Sequence, residues 1–173
     1  MTMTKRRIAL ISTGGTIEKT YDELSGVLAN QVSVLDVMLA SLELRGVEVQ
    51  RVQLMNKDSL DMSPADHTVI AETAHTLAHV TTDIVIVHST DRLAMSNERT
   101  LELNVPTAPI VFTGAMRPYE LRSTDALQNL TEALLAVQIV APGVYVAMHN
   151  QVLRFPGVVK DRAAGTFVKV SER

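Results

Sequence analysis

Four short polar segments hold the residues best suited to chemistry. Thr13-Gly14-Gly15-Thr16 sets two hydroxyls around two glycines. Glycine accepts positive φ and lets the backbone come close to a partner, so the N–H groups of this turn can face an anion or a carbonyl oxygen. A threonine hydroxyl attacks a carbonyl only when a neighbouring base takes its proton. The alternative is a glycine turn whose Thr side chains bond locally, and spacing alone leaves both readings open. No Gly-Lys-Ser/Thr follows, which excludes a Walker phosphate loop, and the segment is not a Gly-x-Gly-x-x-Gly dinucleotide fingerprint. The second segment is His88-Ser89-Thr90-Asp91. An Asp can orient a Lys, and a Lys of depressed pKa can move a proton. Lys160 is the candidate, although nothing in the spacing brings it to Asp91; the competing reading makes Asp91 the cap of the next helix. Asp58-Ser59 and Thr113-Gly114-Ala115 are the remaining two.

The histidines offer a metal alternative. Glu72, His75 and His79 lie at helical spacing. They lack the Glu of a His-Glu-x-x-His site and a third ligand, so a solvated helix face is favoured. His88 reads as a structural hydrogen-bonding residue rather than a base.

The elements that must position these segments alternate short β-rich runs with helical stretches, the order of a parallel sheet covered on both faces. Strands are expected over 7–12, 47–54, 83–87, 109–112 and 143–148. Residues 18–31, with Gly26, read as a loop or lid. A helix over 32–45 follows from apolar positions 34, 35, 38, 39 and 42, with Gly46 as its C′ residue. Ser63-Pro64-Ala65-Asp66 starts a helix running to about residue 80: Ser caps, Pro takes the first turn and Asp meets the positive end. Further helices are expected over 93–103 and 123–138. His149-Asn150-Gln151 reads as a tight turn into a hairpin arm, and Lys160 falls in the tail. The expected fold is therefore a single-domain, three-layer, doubly wound α/β domain with a mostly parallel sheet. In such folds ligands bind beyond the carboxyl ends of the strands, so all four polar segments share one rim.

The bulk numbers narrow the class. Apolar residues make up 46% of the 173-residue chain, enough for a substantial core, but aromatics are only 3% and Trp is absent, so Ala, Val, Leu and Ile must fill it. The net charge of −3 lacks the basic footprint of a nucleic-acid binder. The one basic run, Lys5-Arg6-Arg7, reads as a solvated arm. Cys is absent, which excludes disulfides and a thiolate nucleophile. No apolar stretch reaches transmembrane length, and residues 8–11 are too short for a signal-peptide core, so neither membrane nor nucleic acid is an expected partner and the location is expected to be cytoplasmic.

Taken together, the segments resemble the bacterial L-asparaginase family. Thr13-Gly14-Gly15-Thr16-Ile17 resembles its first signature. His88-Ser89-Thr90-Asp91 is similar to its second, usually His-Gly-Thr-Asp-Thr. Asp58-Ser59-Leu60-Asp61-Met62 resembles its substrate-carboxylate loop, and Thr113 to Pro118 and Arg122-Ser123-Thr124-Asp125 are similar to further segments. The resemblance covers essentially the whole chain, in order. It implies hydrolysis of L-asparagine, with glutamine weaker, through attack by Thr16 and an acyl-enzyme. It implies Tyr21, in the lid, as the activating residue, and Thr90, Lys160 and Asp91 as a second triad that relays a proton and positions water. Gly15, Asp58, Ser59, Ser89, Thr90, Asp91 and Ala115 would line the substrate, the Ala115 carbonyl lying near the leaving ammonia. No metal or organic cofactor is implied. The usual member has a C-terminal domain that supplies an acidic partner for the tyrosine; residues 1–173 resemble the N-terminal domain alone, the short-chain form. A homo-oligomer, dimer or tetramer, is expected on the same grounds. Ser89 stands where the family has Gly, Arg92 where it has Thr, and the step from Thr16 to Tyr21 is shorter than in many members. A non-catalytic amino-acid-binding module, or an amidotransferase component on the same fold, is the alternative.

Overall fold

A computed structural model describes residues 4–81 and 83–172. Five parallel strands form the centre of its main sheet: β1 (Arg6–Gly14), β4 (Val47–Lys57), β5 (Asp83–Val87), β6 (Pro109–Thr113) and β7 (Gly143–Met148). Their spatial order is β4-β1-β5-β6-β7, with β8 (Gln151–Arg154) antiparallel at the β7 edge. Two hairpins stand outside this sheet. One pairs β2 (Thr20–Asp22) with β3 (Val27–Ala29); the other pairs β9 (Val158–Asp161) with β10 (Thr166–Lys169).

Alternation along the buried strands sends successive side chains to opposite faces. Ile8, Leu10, Val85, Val87 and Val111 meet Leu35 and Met38 of α1 (Leu35–Ala40) and Leu130 and Ala133 of α4 (Ala126–Ala136). Ala9, Ile11, Ile84, Ile86 and Phe112 meet Ile70 and Ala74 of α2 (Pro64–Ala78) and Leu93 of α3 (Leu93–Leu103). Each large aliphatic side chain so buried contributes about 1.5–3 kcal/mol. Burial on both faces is why the strands read as continuous apolar runs. The expected three-layer, mostly parallel fold is the one observed.

The chain goes from β1 outward to β4, then crosses to β5 on the other side of β1. The connections leaving β1 and β5 therefore diverge and open a crevice at their carboxyl ends. Thr13–Thr16 and His88–Asp91 are the segments that lie there.

Expected bounds hold for β5, α3 and β7, and Ser63 with Asp66 forms a reciprocal capping box on α2. His149 and Asn150 adopt positive φ and turn the chain into β8, as the hairpin expectation requires. Several expectations are corrected. Residues 18–31 are not a plain loop but the β2–β3 hairpin, whose half-exposed strands leave no apolar alternation to read. The helix expected over 32–45 is only Leu35–Ala40; Leu42 and Leu44 pack on the core from a turn, and Gly46 is not in the left-handed region. The strand from Val47 runs on to Lys57. The helix expected from Ser123 starts at Ala126, because the Asp125 carboxylate accepts the N–H groups of Met116 and Arg117 and so holds the loop after β6 instead of joining a helical turn. Lys160 is not in a tail but in β9, with Phe167 opposite it. Arg6 likewise is no solvated arm: it starts β1 and its guanidinium grips the fully buried Asp83, with Nη2 2.7 Å from Oδ1.

Candidate active site

Three strand-end loops meet backbone to backbone because glycine occupies each contact. Gly15 has φ +88°, and a Cβ there would lie 2.5 Å from the Ser89 nitrogen. A Cβ on Gly114 would lie 2.3 Å from the His88 carbonyl oxygen. No side chain fits at such distances, so the loops after β1, β5 and β6 are locked together at their tips. Within the first loop the two threonines differ. Thr13 is fully buried near the end of β1 and donates to the Val87 carbonyl of β5 at 2.8 Å, a structural bond between the two strands. Thr16 is half-buried at the start of a 3-10 turn, and among the described residues none hydrogen-bonds its hydroxyl. The free hydroxyl is the one suited to attack.

The second loop gathers a charged cluster. Lys160, 70 and 69 residues away, sets its Nζ 2.8 Å from Thr90 Oγ1 and 2.7 Å from Asp91 Oδ1. The ammonium donates to both. Arg162 approaches Asp91 at 3.6 Å from the exposed side. Asp91 is thus engaged by Lys160, and it is not the cap of α3: Arg92 takes that position, and its N–H donates to Ser59 Oγ at 3.0 Å. Ser89 fits where the resembled family has glycine because its φ is not positive, and its hydroxyl donates to Asp58 at 3.2 Å. Arg92 reaches the Met62 carbonyl at 3.3 Å rather than standing free on the rim. His88 is fully buried, and burial pushes its pKa down to about 4, so it is neutral near pH 7. It is a structural group, as its place at a strand end suggests.

Asp58 lies between the loops. Burial opposes its ionisation, but hydrogen bonds from Lys19 at 2.7 Å, from the Leu60 N–H and from Ser89 outweigh that and hold the carboxyl below the usual range. Ser59 is fully buried and its oxygen already accepts the Arg92 N–H, leaving its proton for another partner. Ala115 is buried directly after the Gly114 contact.

Tyr21 stands apart from this packing. It lies on β2 and is 55% exposed. Its backbone N–H donates to the carboxylate of Glu120, and the Tyr119 N–H donates to the Ile17 carbonyl at 3.2 Å, so the loop after β6 also holds the base of the hairpin. His75, weighed as a metal ligand, sits 2.7 Å from the Thr100 carbonyl and ties α2 to α3.

Several residues here carry little readable sequence signal. Glu18 is buried, its pKa raised by burial, and it accepts from the Gly14 N–H at 3.1 Å and from the Ser33 hydroxyl. Asn30 donates to the Gly15 carbonyl at 2.9 Å. Asp125 also accepts from His149 at 2.7 Å and Asn129 at 2.9 Å. Glu18 and Asn30 are isolated polar residues in sequence; Asp125 falls in the Arg122-Ser123-Thr124-Asp125 segment of the family resemblance, which points to the residue but not to its role.

The family model described as "Asparaginase, N-terminal" matches residues 7–167. An L-asparaginase of Thermococcus kodakarensis is 30% identical over 162 residues, covering 92% of this chain and 49% of that protein. A glutamyl-tRNA(Gln) amidotransferase subunit from Haloquadratum walsbyi is 32% identical over 144 residues, covering 82% of this chain and 33% of that protein. The solved structure of the thermostable T. kodakarensis L-asparaginase superposes with a TM-score of 0.85 at 28% identity, over 94% of this chain and 51% of that one. The chain spans about half the length of the asparaginases it matches and about a third of the amidotransferase relatives.

Proposed function

The chain belongs to the asparaginase family through its N-terminal domain, and on that premise we propose that it hydrolyses L-asparagine to L-aspartate and ammonia through a threonine ester. Thr16 Oγ1 attacks the side-chain amide carbon. Its proton passes to the departing nitrogen, which leaves as ammonia; water then cleaves the ester and restores Thr16. Tyr21 assists the first proton transfer. Thr90, Lys160 and Asp91 relay the proton and position the water. Asp58, Ser59, Ser89 and Asp91 hold the α-amino and α-carboxyl groups, while the Gly15 backbone and the Ala115 carbonyl border the reacting amide.

One observation carries this reading. Lys160 arrives from a separate hairpin to bind both Thr90 and Asp91, beside the glycine contact that presses the Thr16 loop against Ser89. A cluster assembled from three distant segments at the sheet's switch point is suited to moving a proton away from a threonine. The test is ammonia release by purified protein with asparagine and with glutamine. Release from asparagine, weaker release from glutamine and loss of both in Thr16→Ala are the expected results; no release, or full activity in Thr16→Ala, overturns the reading.

The amidotransferase relatives favour a second reading, in which this domain releases ammonia, or binds an amino acid without turnover, as part of a larger assembly. Aspartate binding by calorimetry without turnover supports it, and steady turnover by the isolated protein counts against it. We further propose that the 173 residues act as one asparaginase N-terminal-type domain in a cytoplasmic homo-oligomer. Among the described residues no helix is long and apolar enough to cross a membrane. Sedimentation showing a stable, active monomer overturns the oligomer.

A further inference from the structure

Beneath the Ser89–Thr90 peptide lies a chain of buried polar groups that the proposed reaction does not use. His88 Nδ1 is 2.6 Å from the Ser89 carbonyl oxygen and His88 Nε2 is 2.8 Å from Ser96 Oγ. Ser96 Oγ is also 2.7 Å from His67 Nδ1. Ser96 is fully buried and His67 nearly so. The two imidazoles stack at 6.2 Å with planes 19° apart, and Phe112 tilts against His88 at 6.0 Å.

The direction of every bond follows from what each atom can do. A carbonyl oxygen only accepts, so His88 Nδ1 carries a proton. His88 is neutral because burial holds its pKa near 4, so Nε2 is a bare lone pair and the Ser96 hydroxyl must donate to it. Having used its single proton, Ser96 Oγ accepts from His67, whose Nδ1 therefore carries a proton. Burial, and after it the charge of Arg92, lowers the His67 pKa, so this ring is neutral too and Nε2 is its lone pair. Among the described residues that atom is buried without a partner. The orphan falls at the end of the chain, where a one-way relay leaves one.

We propose that Ser96 and His67 are positioning residues for the second loop: a one-way relay from His67 through Ser96 to His88 ends on the Ser89 carbonyl and fixes the peptide that carries Thr90. The proposal rests on the reading that Thr90 serves catalysis. Without the Ser96 proton, His88 is free to move its own proton to Nε2, which releases the Ser89 carbonyl and lets the Ser89–Thr90 peptide rotate. Thr90 Oγ1 then leaves the Lys160 ammonium, while the groups assigned to substrate binding on the first loop and at Ser59 stay in place. Ser89 and Asp91, assigned to substrate binding, lie on or beside the moving peptide, so the cost falls on turnover and affinity together.

Two arms test it on the full chain. In 15N-histidine spectra at pH 7, His67 and His88 both appear as the Nδ1–H tautomer, the less common form of free imidazole; either ring as Nε2–H or doubly protonated overturns the relay. In kinetics on asparagine, Ser96→Ala lowers kcat by about 10- to 100-fold and raises KM with it. His67→Asn, whose Nδ2 overlies the imidazole Nδ1, keeps kcat within about threefold of wild type, whereas His67→Leu matches Ser96→Ala. Unchanged turnover in Ser96→Ala, or equal turnover in the two His67 variants, overturns the proposal; if Ser96→Ala does not fold, the His67 pair decides. Absence of ammonia release by the wild type defeats the asparaginase reading instead, and the tautomers alone then decide the relay.

Discussion

The loop after β5 and the hairpin after β1 both carry proposed catalytic groups, and they are built in opposite ways. Thr90 sits on a peptide backed by His88, Ser96 and His67, packed by Gly15 and Gly114, and reached by Lys160. Tyr21 sits on a two-stranded ribbon outside the main sheet, more than half exposed. The ribbon is held to the body chiefly by polar contacts: Glu120 to the Tyr21 N–H, Asn30 to the Gly15 carbonyl and Lys19 to Asp58. The difference separates a part of the site that is organised by folding itself from a part that is tethered at the surface. Elements with few buried apolar contacts open at low cost, and lids are drawn from them. Damage to the first part should therefore register in stability as well as turnover, and damage to the second in turnover alone.

The largest expected effect is at Lys160. Lys160→Met keeps the length of the side chain but removes the donor shared by Thr90 and Asp91, and kcat should fall by about 10²- to 10⁴-fold. Steady-state ammonia release measures it, and a loss of less than about threefold breaks the assignment of the proton relay to this loop. Next is pH. Unfolded, His88 binds a proton near 6.5; folded, it does so only near 4. Between those values the unfolded state holds more protons, so stability rises with pH and falls as pH drops from about 6.5 to about 4, by about 3 kcal/mol. His67, shifted the same way, adds to the slope. Urea unfolding at several pH values reads this, and a flat profile means that the loop after β5 is not organised around neutral imidazoles. Gly15→Ala forces a residue with a Cβ into positive φ and against Ser89, and should cost about 1–3 kcal/mol in backbone strain together with most of the activity. A calorimetric Tm equal to wild type counts against the locked loops. The smallest structural effect is at Glu120. Glu120→Ala should change stability by no more than about 0.5 kcal/mol, yet lower kcat by releasing Tyr21. Unfolding as marked as that of Gly15→Ala erases the contrast between the two regions.

Legibility in the sequence follows the same division. The central strands β5 and β7 are readable because burial on both faces imposes a nearly continuous apolar run, whereas helix α3, whose buried residues are Leu93, Ser96, Asn97 and Thr100, follows from the alternation of strands and helices along the chain. The β2–β3 and β9–β10 hairpins are not, since short strands at a surface need no such pattern. The Thr16 and Thr90 segments stand out by their own residue types. Glu120, Asn30 and Glu18 do not, because a single polar residue in a loop has no periodicity and its place in the packed fold is not written in its neighbours.

By itself the sequence determined the family resemblance, which the family match over residues 7–167 meets. It also determined the parallel three-layer sheet and the rim on which its polar segments fall, because all of these are written in local pattern: apolar alternation, glycines at strand ends and short motifs in order. Only the tertiary structure decided that Thr13 bonds across the sheet to the Val87 carbonyl while, among the described residues, none bonds the Thr16 hydroxyl. It also decided that Asp91 binds Lys160 rather than capping α3, and that Asp125 holds a neighbouring loop. Each of these choices is between a local hydrogen bond and a distant one of similar strength. Only the packed fold brings the distant partner within reach and so settles which bond is made.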